Sequence, residues 1–242
     1  MAWVTSPFSS RERPLHVVPR AVVVLLLSAL LLQVAWHAIQ PPAVARAQAL
    51  PSPPPQQLLD LAALGEPETL SRLLMLWLQA FDHQPGLSIP YRELDYDRVI
   101  DWLDQIVRLD PRAQYPLLTA SRVYSEVPDA GRKRKMLEFV EAEFLLDPDR
   151  RWPWMAQAVY VAKHRLNDLD LALRYARVLR EHSKPGITPG WARQMELFIL
   201  EDMGELEAAK VLLGGLIESG VVKDHNELKF FEDRLSRLNG NQ

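Results

Sequence analysis

Between Asp97 and about Trp191 the order of apolar and polar positions repeats every 37 residues. Leu109-Asp110-Pro111 recurs as Leu146-Asp147-Pro148, and Pro185 falls on the same phase. Tyr115-Pro116 recurs as Trp152-Pro153, and Trp154 recurs as Trp191. Val99, Ile100, Trp102 and Leu103 align with Met136, Leu137, Phe139 and Val140. A fixed period of this size, one helix pair per unit, is the signature of a helical solenoid. Helical spacing of apolar residues predicts elements at about 97–109, 112–127, 130–146, 151–165, 168–182, 189–202 and 205–218. Asp95 or Asp97 caps the first of these, and Asn167-Asp168 opens the 168–182 helix. The last helix opens at Asp224 with Glu227 three residues on, a capping-box pattern. Its stripe of Leu228, Phe231, Leu235 and Leu238 has one docking face, as an end cap requires.

Ahead of the periodic region, residues 57–64 predict a short helix stopped by Gly65. Leu70 to Phe81 is apolar at nearly every position and too short to span a bilayer, so it predicts a helix buried on most sides. Asp82 to Tyr91, with Pro85, Gly86 and Pro90, predicts a loop. Residues 40–55 form a linker rich in proline, with Pro41, Pro42, Pro51, Pro53, Pro54 and Pro55. It reads as a stiff spacer that at about 3.1 Å per residue reaches roughly 45 Å, or else as a proline-rich recognition segment.

Residues 21–39 are apolar apart from Ser28, Gln33 and His37. A helix of that length rises about 28 Å, close to the hydrocarbon core of a bilayer. Two readings compete. A signal anchor suits the length of the run and the position of Trp36, where an interfacial aromatic sits. A cleaved signal peptide finds small-residue sites at Ala43-Val44-Ala45 or Ala45-Arg46-Ala47. The length favours the anchor. Three arginines precede the run, in a tail over 1–20, and Arg46 follows it. Residues 1–20 are therefore expected in the cytoplasm and the rest outside, which is the periplasm in a Gram-negative cell.

Composition narrows the functional classes. The chain has 242 residues, 10 glycines and 19 prolines, a balance that suits helices with abrupt ends. Residues 1–55 hold four arginines against Glu12, which leaves 24 basic and 30 acidic residues in 56–242, a net of −6. An acidic globular part argues against nucleic-acid binding. The chain has no cysteine, which rules out disulfides, thiol catalysis and cysteine-ligated metals. The histidines at 16, 37, 83, 164, 182 and 225 show no ligand spacing. No glycine-rich phosphate loop or nucleophile elbow is present. The expectation is a protein without catalytic residues, cofactor or metal.

Leu166-Asn167-Asp168-Leu169-Asp170-Leu171-Ala172-Leu173 resembles the helix–turn–helix junction of the tetratricopeptide-repeat (TPR) superfamily. Met203-Gly204-Glu205-Leu206-Glu207-Ala208-Ala209 resembles it again 37 residues later. Leu109-Asp110-Pro111 and Leu146-Asp147-Pro148 are similar to the repeat-ending proline of that superfamily. The similarity covers about Asp95 to Gly220. It departs from the family in its period, 37 where the family has 34, and in placing Arg193 and Glu196 at apolar core positions. The resemblance implies an all-α fold, a right-handed α-α superhelix of TPR-like helix-turn-helix repeats over 56–242, here preceded by one transmembrane helix. It implies binding of proteins or peptides along a concave surface, with no catalysis.

Two clusters are candidate sites. Trp152, Trp154, Gln157, Trp191 and Gln194 place aromatics and amides one period apart, which suits capture of a peptide. The same tryptophans also serve to wedge adjacent repeats together, and the apolar character of their helix favours that use. Arg132, Lys133, Arg134 and Lys135 form the one dense basic run in the globular part. It suits anionic headgroups or an acidic partner, while the glutamates that follow favour an ordinary solvated face. The function expected is a membrane-anchored scaffold for protein–protein interaction in assembly of an envelope complex. The alternative is a permanent structural subunit of a membrane complex.

Overall fold

The structure is a computed structural model that describes residues 19–40, 48–84, 87–220, 222 and 224–240. The tail expected over 1–20, apart from its last two residues, and the small-residue positions Ala43 to Ala47 lie outside the described residues. The chain divides into two compact units, Met1–Ala45 and Arg46–Gln242.

In the first unit the described residues form one helix, α1 (Arg20–Ile39), apolar apart from Arg20, Ser28, Gln33 and His37 and without an acidic residue. It is long and apolar enough to cross a membrane. At 20 residues it spans about 30 Å.

Among its described residues the second unit is all-α apart from a hairpin with two residues in each strand. Its helices are α2 (Gln56–Ala62), α3 (Pro67–Ala80), α4 (Tyr96–Leu109), α5 (Tyr115–Arg122), α6 (Ala130–Leu146), α7 (Pro148–His164), α8 (Leu169–His182), α9 (Gly190–Arg193), α10 (Met195–Asp202), α11 (Leu206–Glu218) and α12 (His225–Gly240). The hairpin pairs His83–Gln84 with Leu87–Ser88 inside the expected loop.

The helix ends follow from the local chemistry. Asp95, not Asp97, caps α4, accepting from the backbone N–H groups of Asp97 and Arg98. Asp129, Asp168 and Asp224 cap α6, α8 and α12 in the same way. Pro67 and Pro148 occupy first-turn positions, where a missing N–H costs nothing. Because α7 starts at Pro148, three residues ahead of expectation, Pro153 falls past its first turn and inside the helix. After α7, Asn167 adopts a left-handed φ of 52°, and after α10 Gly204 does so at 77°. These two residues, 37 apart, reverse the chain into α8 and α11, which themselves begin 37 apart at Leu169 and Leu206.

Two elements depart from the periodic reading. The helix expected over 112–127 is regular only from Tyr115 to Arg122 and closes as a 3₁₀ turn at Tyr124–Glu126. The hydroxyls of Thr119, Ser121 and Ser125 bond back to preceding carbonyls there, which competes with regular helix. The helix expected over 189–202 is broken at Gln194, where φ is −87° and ψ is −5°.

The closest helix–helix packing joins elements one or two apart in chain order, with α7 against α8 the most extensive. One continuous core runs from Leu50 to Ile199 through Val99, Leu103, Phe144, Met155 and Tyr175. A second core, of Leu197, Leu200, Ala209, Leu213, Val222 and Phe231, lies between α10, α11 and α12. Leu228, Leu235 and Leu238 pack on it, as the stripe on α12 predicts. Arg193 and Glu196, polar at positions where apolar residues are expected, are turned inward and paired. Glu196 accepts from Arg177 at 3.0 Å and Arg180 at 2.5 Å. Arg193 meets Glu227 at 3.0 Å. The Glu227 carboxylate is thereby committed across the fold and not to its own helix start.

The linker is not free along its whole length. Leu50 is buried in the core, and Pro53 and Pro54 are half-buried. The Arg98 guanidinium donates to the Leu50 carbonyl, and the Trp102 indole N–H donates to the Pro51 carbonyl at 2.8 Å. Leu50 and Pro51 therefore lie against α4, Gln48 pairs with Gln84 of the hairpin, and Pro55, at φ −55° and ψ 146°, is in polyproline II geometry.

Candidate functional site

The first turn of α7 sets the position of two tryptophans. Arg151, ahead of Trp152, has a side chain only 4 % exposed. It donates to the Glu143 carboxylate and carbonyl, both at 2.6 Å, and to the Pro111 carbonyl at 3.1 Å. One guanidinium thus joins the end of α6, the loop before α5 and the start of α7. Burial holds the Glu143 carboxyl above its usual range, although Arg151 beside it pulls the other way. Trp154 is fixed separately, its indole N–H donating to the Gln114 side-chain oxygen at 2.6 Å.

Trp191 comes from the next unit. The loop ahead of α9 turns through Lys184, whose carbonyl accepts from Ile187 and Thr188 and whose ammonium meets Asp149 in the first turn of α7 at 2.8 Å. This places the Trp191 ring edge-on to Trp152, with centroids 5.8 Å apart and an interplanar angle of 73°. Such T-shaped pairs are favoured by the ring quadrupole. Trp191 remains 56 % exposed.

Trp152, Trp154, Gln157 and Trp191 are brought together in one open cleft of about 360 Å³, with Leu118, Arg122 and Pro153. Trp152 and Trp154 each lay one side on the core while facing the cleft, so packing and lining are both served by the same rings. Gln194 is not part of it. Its amide donates to Glu227 at 3.2 Å, and it lines a separate cleft of about 500 Å³ between Arg180, Arg193, Leu216 and Phe231. The 37-residue equivalence of Gln157 and Gln194 fails in space because the helix is broken at Gln194.

Arg122 was not anticipated as a site residue. It ends α5 as an exposed cation, and its only signal in sequence is its place one turn past Leu118 on the helix preceding α7. Among the described residues, the Arg122 guanidinium, the Gln157 amide and the indole N–H groups of Trp152 and Trp191 have no hydrogen-bond or ion-pair partner. The cleft therefore presents donors beside aromatic faces.

The basic run on α6 behaves differently. Arg132 lies over the Tyr96 ring, 5.4 Å from its centroid. Lys133 reaches the Arg165 carbonyl, Arg134 meets Asp168 at 2.6 Å, and Lys135 meets Asp97 at 2.6 Å. Each cation is directed to a neighbouring helix, and the run acts as a brace among α4, α6 and α8. Asp168, which accepts from the Leu171 N–H and from Arg134, is held below the usual carboxylate range. No group of three His, Asp or Glu able to hold a metal occurs among the described residues. No family model, no curated protein and no solved structure matches this chain.

Proposed function

We propose that the chain is a membrane-anchored scaffold whose α2–α12 unit is a TPR-like right-handed superhelix that binds an extended segment of a partner protein. The observation that carries this reading is the tryptophan cleft, where hydrogen-bond donors beside exposed aromatic faces have no use within the described fold. Aromatic anchors with nearby polar groups are what hot spots of peptide capture consist of. The nearest-neighbour packing and the paired turns at Asn167 and Gly204 support the repeat assignment. In this reading α1 is an uncleaved signal anchor, the amino terminus is cytoplasmic, and the helical unit works outside the membrane, in the periplasm of a Gram-negative cell. Binding needs neither cofactor nor metal, and no residue is assigned a catalytic role.

A second reading has its own support. Leu58, Leu61 and Leu64 on and after α2, with Leu73 and Leu76 on α3, are all more than half exposed, Leu64 at 88 %. Large apolar side chains exposed in such number suit a surface that is covered by a partner, which fits a permanent subunit of a membrane complex.

Mild cross-linking in native membranes, followed by identification of the adducts, tests both. Several substoichiometric adducts that disappear in Trp191→Ala support the scaffold. One dominant adduct in fixed ratio that persists in Trp191→Ala and is lost in Leu61→Asp sinks the scaffold reading in favour of the subunit. A reporter fused after Gln242 that proves cytoplasmic would overturn the orientation.

A further inference from the structure

We infer that the segment taken by the tryptophan cleft is rich in proline and lies in polyproline II conformation, held through its backbone carbonyls. The inference rests on the cleft being a peptide site, and it names what kind of peptide.

The first support is the inventory of groups. The residues lining it carry as side-chain polar groups the Arg122 guanidinium, the Gln157 amide and the indole N–H groups of Trp152, Trp154 and Trp191, of which that of Trp154 is already given to Gln114. Arginine and indole nitrogens donate only, and the Gln157 oxygen is the one side-chain acceptor among them. An ordinary extended peptide carries an N–H for every carbonyl and would leave most of its N–H groups facing donors. A proline-rich segment carries carbonyls and few N–H groups, so its needs match what the cleft offers. Its pyrrolidine rings also fit the spaces between aromatic faces, and its preformed backbone loses little entropy on docking.

The second support is a worked example in the same molecule. Leu50 and Pro51 lie against α4, where the Trp102 indole N–H donates to the Pro51 carbonyl and Arg98 donates to the Leu50 carbonyl. Trp77 packs beside Trp102 with ring centroids 4.7 Å apart. A tryptophan and an arginine one turn apart on α4 thus receive two consecutive carbonyls, those of Leu50 and Pro51. Trp152, Trp191 and Arg122, lining one cleft, supply the same kinds of group. The described part of the chain's own proline segment, residues 48–55, is already committed, since Leu50 is buried in the core. We assign the second cluster to a segment of another protein.

The test uses the full-length protein in nanodiscs. The first probe is fluorescein-labelled decaproline, with a glycine–serine peptide of equal length as the control. Decaproline is expected to bind saturably, and the control is not. The affinity is expected to fall at least tenfold in Trp191→Ala and again in Arg122→Ala. Both residues are exposed, so the far-ultraviolet circular dichroism should not change. Decaproline binding that is indifferent to both substitutions, or no binding, overturns the inference. A random peptide display on the same nanodiscs separates the two levels. Captured peptides that depend on Trp191 and contain proline runs support the inference. Captured peptides that depend on Trp191 and lack proline overturn the proline assignment while leaving a peptide cleft standing. Captured peptides that ignore Trp191 overturn both.

Discussion

The helical unit contains two tryptophan pairs built alike and treated differently. Trp77 and Trp102, on α3 and α4, have ring centroids 4.7 Å apart; Trp77 stays 37 % exposed, while Trp102 is buried and its N–H is satisfied by Pro51. Trp152 and Trp191, on α7 and α9, meet edge to face, and their N–H groups have no partner among the described residues. The difference lies in burial. Trp102 is 5 % exposed and belongs to the core, whereas Trp191 is 56 % exposed and rests on its surface. One pair has become part of the fold, and the other is held by the fold with its chemistry facing outward. The comparison teaches that aromatic residues at equivalent kinds of position need not share a role, and that hydrogen-bond use separates the roles better than residue type.

The sharpest test of that contrast is Trp102→Ala. It removes a buried indole and the donor to Pro51, and it should cost about 3 to 5 kcal/mol by urea unfolding. Proteolysis within residues 48–56 should accelerate at the same time, because the segment loses its seat. A loss below about 1 kcal/mol would show that the first pair is not core.

Arg151→Ala should be nearly as damaging, at about 3 to 5 kcal/mol, since it leaves the Glu143 carboxylate buried without its cation. The loss should depend on pH in a definite direction. Burial already raises the Glu143 pKa in the folded state, and removing Arg151 raises it further. A raised carboxyl favours the folded state at low pH, where it is protonated, and that advantage fades as pH climbs through the folded value. The variant should therefore be closer to wild type near pH 4 than at pH 7. Because Arg151 sets the first turn of α7, the variant should also change the Trp152–Trp191 contact, readable as altered near-ultraviolet circular dichroism, while Trp77 and Trp102 keep theirs.

Much of this architecture is legible in the chain. Asp95, Asp129, Asp168 and Asp224 are caps because a short acceptor ahead of an apolar period has few other uses. Asn167 and Gly204 mark turns because both tolerate left-handed backbone. The all-α class and the apolar α1 follow from period and run length alone. The cleft was legible in part: the spacing of Trp154 and Trp191 brought four of the five candidate residues together, and Gln194 went elsewhere. What the period cannot reveal is partner choice across helices. Arg193 and Gln194 both turn to Glu227, more than thirty residues away, and the chain breaks where they do so. Arg134 and Lys135 reach Asp168 and Asp97 at 34 and 38 residues' distance. The docking of Leu50 on α4 has no local signal either, because a proline-rich stretch looks the same free or seated.

Asp168 offers a smaller effect with a clean sign. Asp168→Ala removes the α8 cap and the partner of Arg134, and should cost about 1 to 2 kcal/mol. The folded carboxyl is held below its usual value. Its contribution is thus complete above the unfolded value, about pH 4, and is lost as pH falls through the folded value. Asp168→Asn keeps the cap and loses only the charge. It should be milder than the alanine variant at pH 7 and should lose less stability than wild type between pH 4 and pH 2. Equal acid sensitivity of wild type and Asp168→Asn would exclude this residue as a source of the acid limb.

Trp191→Ala should have the smallest effect on folding and the greatest diagnostic value. The side chain is more than half exposed, and its removal forfeits one T-shaped contact with Trp152, about 0.5 to 1 kcal/mol. If the indole were a wedge between successive helices, its loss would leave a cavity and cost about 3 kcal/mol or more, as at Trp102. Urea unfolding of the two single variants side by side decides between these outcomes. A loss near that of Trp102→Ala would make both pairs structural and remove the basis for a cleft held ready by the fold. A loss of a few tenths of that size would mean that Trp191 is kept in place by Lys184, Asp149 and Trp152 for a contact outside the fold. Its effect should then appear in binding and not in stability.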